Sequence, residues 1–123
     1  MPKETKKQVF ERFKKLCWEW IDRFNLHDLH WNFEMGDDED ALATYILHST
    51  GRKVLITLST AIFDFDGDEL ERELNNTAFH EVIEAGLLGL LRHSATHNSR
   101  GADDIDAETH RIINLLAKTF AVI

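Results

Sequence analysis

The hydrophobic period changes twice along the chain, and that switch restricts the architecture more than any single motif. Over residues 4–24 the apolar side chains Val9, Phe10, Phe13, Leu16, Cys17, Trp20, Ile21 and Phe24 recur at three- and four-residue steps. That is one face of an α-helix. Glu11, Lys14, Lys15, Glu19 and Arg23 take the opposite side, and Asn25 supplies a stop. From Leu29 to Met35 apolar and polar residues alternate, as in a strand with one buried face. Residues 36–40 then form an acidic turn. Residues 42–48 and 53–58 are two further strands, joined by the hairpin loop Ser49-Thr50-Gly51-Arg52. Within the last strand, Leu55 and Thr57 face away from Val54, Ile56 and Leu58.

After the anchors Ile62, Phe63 and Phe65 the helical period returns. Asp68 stands where an N-cap belongs, with Glu69 and Glu71 in the first turn, and no proline interrupts residues 69–93. Residues 94–104 read as a loop, and Asp104 or Asp106 caps a final helix with an apolar side from Ile105 to Phe120. The order α-β-β-β-α-α predicts a single α+β domain over residues 1–123. It comprises an N-terminal helix, a three-stranded, mainly antiparallel meander, a motif-bearing helix and a C-terminal helix.

Composition narrows the function classes. One cysteine, Cys17, excludes an internal disulfide framework and a Cys-rich zinc ribbon. No apolar run is long enough to span a membrane. The basic residues 1–7 lead into no apolar signal core, which predicts a cytoplasmic protein. The net charge is −8, unevenly placed: residues 1–23 hold seven Lys/Arg and four acids, and all other acids follow them. An acidic body is unsuited to general nucleic-acid binding, which depends on positive charge at the phosphates. The basic face of the first helix reads as solvated. Seven histidines are the unusual component.

Chemistry concentrates in Phe79-His80-Glu81-Val82-Ile83-Glu84. His80 and Glu84 are four apart, so on a helix they stack on one face, about 6 Å apart, and can converge on one metal ion. Glu81 lies about 100° further round. The stripe that holds His80 and Glu84 begins at Leu74 and Thr77 and continues into Leu87, Leu88 and Leu91. Charged groups within an apolar stripe are costly unless paired or bound to a cation. Two readings follow: a metal site, or a His80–Glu84 hydrogen bond at the core edge. In HExxH metallopeptidases two histidines bind zinc and the intervening Glu is the general base. Here the pattern is H-E-x-x-E, with Glu84 in place of the second histidine. Glu108 and His110, which start the last helix after a loop long enough to return it over the motif helix, are either ordinary first-turn residues or candidates for a third ligand, a set that would leave a position open. A carboxylate in place of an imidazole makes harder, oxygen-preferring ions more competitive.

In order and motif, the chain resembles the small phage-encoded zincin-like metallopeptidases, here as an HExxE variant. The resemblance is carried by the aromatic-rich end of the first helix at residues 16–26 and by the strand Leu29-His30-Trp31-Asn32-Phe33-Glu34. Thr77-Ala78-Phe79-His80-Glu81 running into leucines, and a closing helix over residues 108–116, complete it. It implies a zincin-like fold and a metal, Zn2+ or another divalent cation, held by the motif helix and one residue of the last helix. Glu81 is implied as base, and a peptide or protein as substrate. The rival function is a non-catalytic phage protein of the same fold that binds a host protein through its acidic or basic surfaces.

Other candidates have structural readings. His93 and His97 are four apart but fall at a helix end and in a polar loop, which reads as surface histidines, with a second metal pair as the alternative. His27, His30 and His48 have no partner at ligand spacing. Residues 64–75 lack the calcium-loop pattern, with Gly67 fourth and Asn75 at the position that needs Glu.

Overall fold

The computed structural model describes residues 5–48, 52–89, 91 and 102–120. The chain is α+β, with the element order expected from its periodicity. Helix α1 spans Lys6–Arg23 and starts with a capping box. The Thr5 hydroxyl accepts from the Gln8 amide at 3.1 Å, and the Gln8 side chain accepts from the Thr5 amide at 2.8 Å. It ends at Phe24, after which Asn25 takes a left-handed conformation with φ 54°.

Three strands follow: β1, His30–Gly36; β2, Ala43–His48; and β3, Lys53–Ser59. Their spatial order is β1-β3-β2. β2 and β3 pair antiparallel with His48 opposite Lys53, as the hairpin predicts, although loop residues 49–51 lie outside the described residues. β1 pairs with β3 in parallel, so the sheet is mixed and is not a meander. The cause lies in residues 37–42, which cross the end of β3 and place β2 beyond it. Ser59, the last residue of β3, ties that crossing down: its amide donates to the Leu42 carbonyl at 2.8 Å and its hydroxyl to the Asp38 carbonyl. The hydroxyl oxygen also caps the short 3-10 turn Thr60–Asp64 by accepting from the Ala61 amide.

Helix α2, Gly67–Val82, starts one residue before the expected cap. Asp66 takes the N-cap position and Gly67 adopts φ 55°, so Asp68 falls in the first turn beside Glu69. Regular α-helix ends at Val82, and residues 90, 92 and 93 of the expected helix lie outside the described residues. A π-helical turn over Ile83–Leu87 follows, closed by the Leu88 amide on the Ile83 carbonyl at 3.1 Å. The wider turn shifts the helical phase. Ile83, Glu84 and Ala85 become buried, while Leu87 and Leu91 are 42% and 70% exposed instead of extending the apolar stripe. Helix α3, Ala102–Thr119, begins before Asp104, so Asp104 and Asp106 lie within it and do not cap it. His93, His97 and most of the expected 94–104 loop lie outside the described residues.

The core is built between the helices and one face of the sheet. Phe13, Cys17 and Ile21 of α1 are fully buried, as are Leu74, Ala78 and Val82 of α2 and Val54, Ile56 and Leu58 of β3. Phe79 meets Trp20 edge-on with ring centroids 4.8 Å apart, and Phe120, just after α3, closes on Phe24 at 5.1 Å. Trp31 is fixed by its indole N–H, which donates to the Leu26 carbonyl at 2.9 Å. The π turn presses against this pair, because a Cβ on Gly86 would sit 2.8 Å from Leu26 Cδ1 and from two Trp31 ring atoms.

Gly86→Ala therefore sets a gain in helix propensity of about 1 kcal/mol against overpacking of about 1–3 kcal/mol. The indole cannot move without losing its hydrogen bond, so overpacking prevails. Urea unfolding is expected to show a net loss of stability, and a raised midpoint would contradict the packing described.

Candidate metal centre

On α2 the positions Asn76 and His80 are one turn apart, and Glu84 follows one turn later at the start of the π turn. Glu81 sits beside them, on the buried face that also carries Leu70, Leu74, Thr77 and Ala78. Both acids are inside, with Glu81 only 8% and Glu84 only 7% exposed. His80 is half-buried, and its Nε2 lies 2.7 Å from Glu84 Oε2.

The third member comes from α3. Thr109, Ile113 and Ala117 bury one side of that helix, and this phase turns His110 toward α2. His110 Nε2 is 3.9 Å from the same Glu84 oxygen, and the two imidazoles are 5.6 Å apart between centroids. His110 Nδ1 is 2.9 Å from the Asp106 carbonyl oxygen, a position from which Nδ1–H donates and Nε2 keeps its lone pair for the cluster. Glu84 Oε1 accepts from the Tyr45 hydroxyl of β2 at 3.5 Å. One carboxylate is thus addressed by three elements.

Glu108, the other candidate for third ligand, is turned away. It is exposed and bound to Arg111, whose Nε and terminal nitrogen lie 2.7 and 2.5 Å from Oε1. Hydrogen bonding and charge from Arg111 hold its carboxyl below the usual range. His27 pairs with Asp22 at 3.0 Å, and His30 and His48 are exposed on strands. Asp37 accepts from Thr60 and Asp38 from the Asp40 amide, so both serve the crossing turn. Burial pushes the Cys17 thiol well up, which keeps it an unreactive core residue.

The cluster fits a divalent cation by its donors. One ligand atom from each of His80, Glu84 and His110 lies within 4.8 Å of the others. A tetrahedral zinc site with bonds of about 2.0–2.1 Å needs donors about 3.4 Å apart, a closure within reach of small side-chain rotations. Two imidazoles and one carboxylate are a known catalytic zinc set. Electrostatics agree: burial, and then the neighbouring Glu84, raise the Glu81 carboxyl from 4.5 to about 8. A divalent cation would remove much of that penalty.

Two shallow clefts meet at Glu81. One, of about 290 Å³, is lined by Leu42, Ala43, Asn76, Thr77, His80 and Glu81. The other, of about 390 Å³, is lined by Ala43, Thr44, Tyr45, Glu81 and Glu84. Tyr45 and Asn76 carry no motif. Tyr45 was accessible only through the strand alternation that turns it inward with Ala43 and Leu47. Asn76 was accessible only through its position one turn before His80. No family model, curated protein or solved structure matches the chain.

Glu81 gives the metal-free protein a signed pH dependence. Its folded pKa is raised, so its contribution to stability is complete below about 4.5, declines as pH rises, and is gone above about 8. Urea unfolding in chelator between about pH 5 and about pH 8.5 is expected to show wild-type stability falling more steeply than that of Glu81→Gln. Parallel slopes would contradict the burial assigned to this carboxyl.

Proposed function

We propose that the protein binds a divalent cation, zinc or a related ion, through His80, Glu84 and His110, and hydrolyses peptide bonds with Glu81 as general base. The observation that carries this proposal is the convergence of the three ligands from two helices beside a buried carboxyl that opens onto a cleft. The proposal extends the resemblance to the phage-encoded zincin-like metallopeptidases, with His110 in the role that the sequence left between Glu108 and His110.

An ion bound there supplies polarisation of a carbonyl oxygen. His80 and His110 provide neutral nitrogen donors, and the Asp106 carbonyl holds the His110 ring in the orientation that presents Nε2. Glu84 provides the anionic donor, steadied by Tyr45. Glu81 takes a proton from the attacking water and returns it to the leaving amine. It lines both clefts, so it meets a carbonyl group from either side. Its raised pKa describes the metal-free chain, and cation binding restores the ionised form that a base requires.

Equilibrium dialysis against zinc tests the ligand set. Wild type is expected to bind one ion. His80→Ala and His110→Ala are expected to lose more affinity than the roughly 10–100-fold that an outer-shell partner costs, and Glu108→Ala is expected to match wild type. Equal binding by all four proteins would overturn the set. Cleavage of a fluorogenic peptide mixture tests the reaction: Glu81→Gln should keep its ion and lose activity by about 10²–10⁴-fold. A zinc-loaded wild type without cleavage above a buffer control would refute the hydrolytic role and favour host-protein binding on the same fold.

A further inference from the structure

The cleft beside His80 contains a feature that metal binding does not explain. Asn76 Oδ1 is buried, and it has no hydrogen-bond partner among the described residues. Its sequence neighbour shows the contrast: Asn75 Oδ1 accepts from the Trp20 indole N–H at 3.3 Å. Buried acceptors without a donor are rare, and each calls for a reason. Asn76 lines the cleft of about 290 Å³ with Leu42, Ala43, Thr77, His80 and Glu81.

We propose that Asn76 is a ligand-recognition residue, accepting a hydrogen bond from a backbone-type N–H of the molecule that occupies this cleft. The assignment of that molecule as a peptide rests on the metal-centre proposal, which places a carbonyl group at the ion. The spacing supports the link. Asn76 stands four residues, about 6 Å along the helix axis, before His80. In an extended peptide the groups on one edge recur every two residues, about 6.6–6.8 Å, so the N–H that follows a carbonyl on the same edge lies closer than that repeat. With a carbonyl at the ion, the next N–H on that edge would thus fall within the length of the cleft that His80 and Asn76 both line. The carboxamide torsion is broad, which lets the group turn toward a donor arriving in the cleft. Leu42 and Ala43 line the same cleft and provide apolar contact for a small side chain.

The probe is acetyl-alanine N-methylamide, compared with its analogue methylated on both amide nitrogens, titrated by NMR into zinc-loaded protein. Wild type is expected to prefer the N–H form by about five-fold, the worth of one neutral hydrogen bond. Asn76→Ala and Asn76→Leu are expected to bind the two probes equally. A preference that survives in both variants, or a wild type that has none or binds neither probe, overturns the proposal. The comparison of probes within wild type does not depend on how the variants fold. Zinc stoichiometry on the same samples, and the same titration in chelator, separate the two proposals. A preference that persists without zinc and vanishes in the variants supports Asn76 even if the metal centre fails.

Discussion

Two carboxyl groups buried side by side, Glu81 and Glu84, are the constraint around which the structure is arranged. Both lie where α2 and its π turn face the core. Each element near them answers that burden in part. The motif helix offers His80, α3 offers His110 and β2 offers the Tyr45 hydroxyl, all three to Glu84. Glu81 instead keeps its proton to about pH 8. The proposed divalent cation would offset the burial of Glu84 directly and favour the ionised form of the neighbouring Glu81, because it would replace lost hydration with charge.

The fold ties together the elements that carry this cluster. The Trp20, Phe24, Phe79 and Phe120 rings tie α1, α2 and α3 together at one end of the helices. Arg12 of α1 and Glu71 of α2 add an ion pair at 2.6 Å. The π turn matters most for placement. It is wedged against Trp31 by Gly86, and it turns Glu84 inward while Leu87 turns out. π turns are over-represented at functional sites because the extra residue re-aims a side chain at the cost of regular hydrogen bonding. Here the re-aimed side chain is Glu84, the anionic member of the proposed ligand set.

The parts legible in the sequence are those governed by local periodicity. Helix α1, the three strands, the β2–β3 hairpin and the His80–Glu84 pairing all follow from repeats of 3.6 or two residues. The sheet order was not legible, because it depends on a long-range tie between Ser59 and residues 38 and 42. The π turn has no sequence signature, so periodicity alone runs the apolar stripe on through Leu87 and Leu91, which the structure exposes. Glu108 and His110 are two residues apart and so point about 200° from each other on a helix. Choosing between them needed the phase of α3, which the burial of Thr109, Ile113 and Ala117 sets.

X-ray absorption at the zinc edge, on protein loaded with one equivalent of zinc, tests the central claim most directly. The account predicts a first shell of nitrogen and oxygen at about 2.0–2.2 Å with the multiple-scattering pattern of two imidazoles, reduced to one in His110→Ala. A spectrum without imidazole scattering, or one unchanged by His110→Ala, would contradict it.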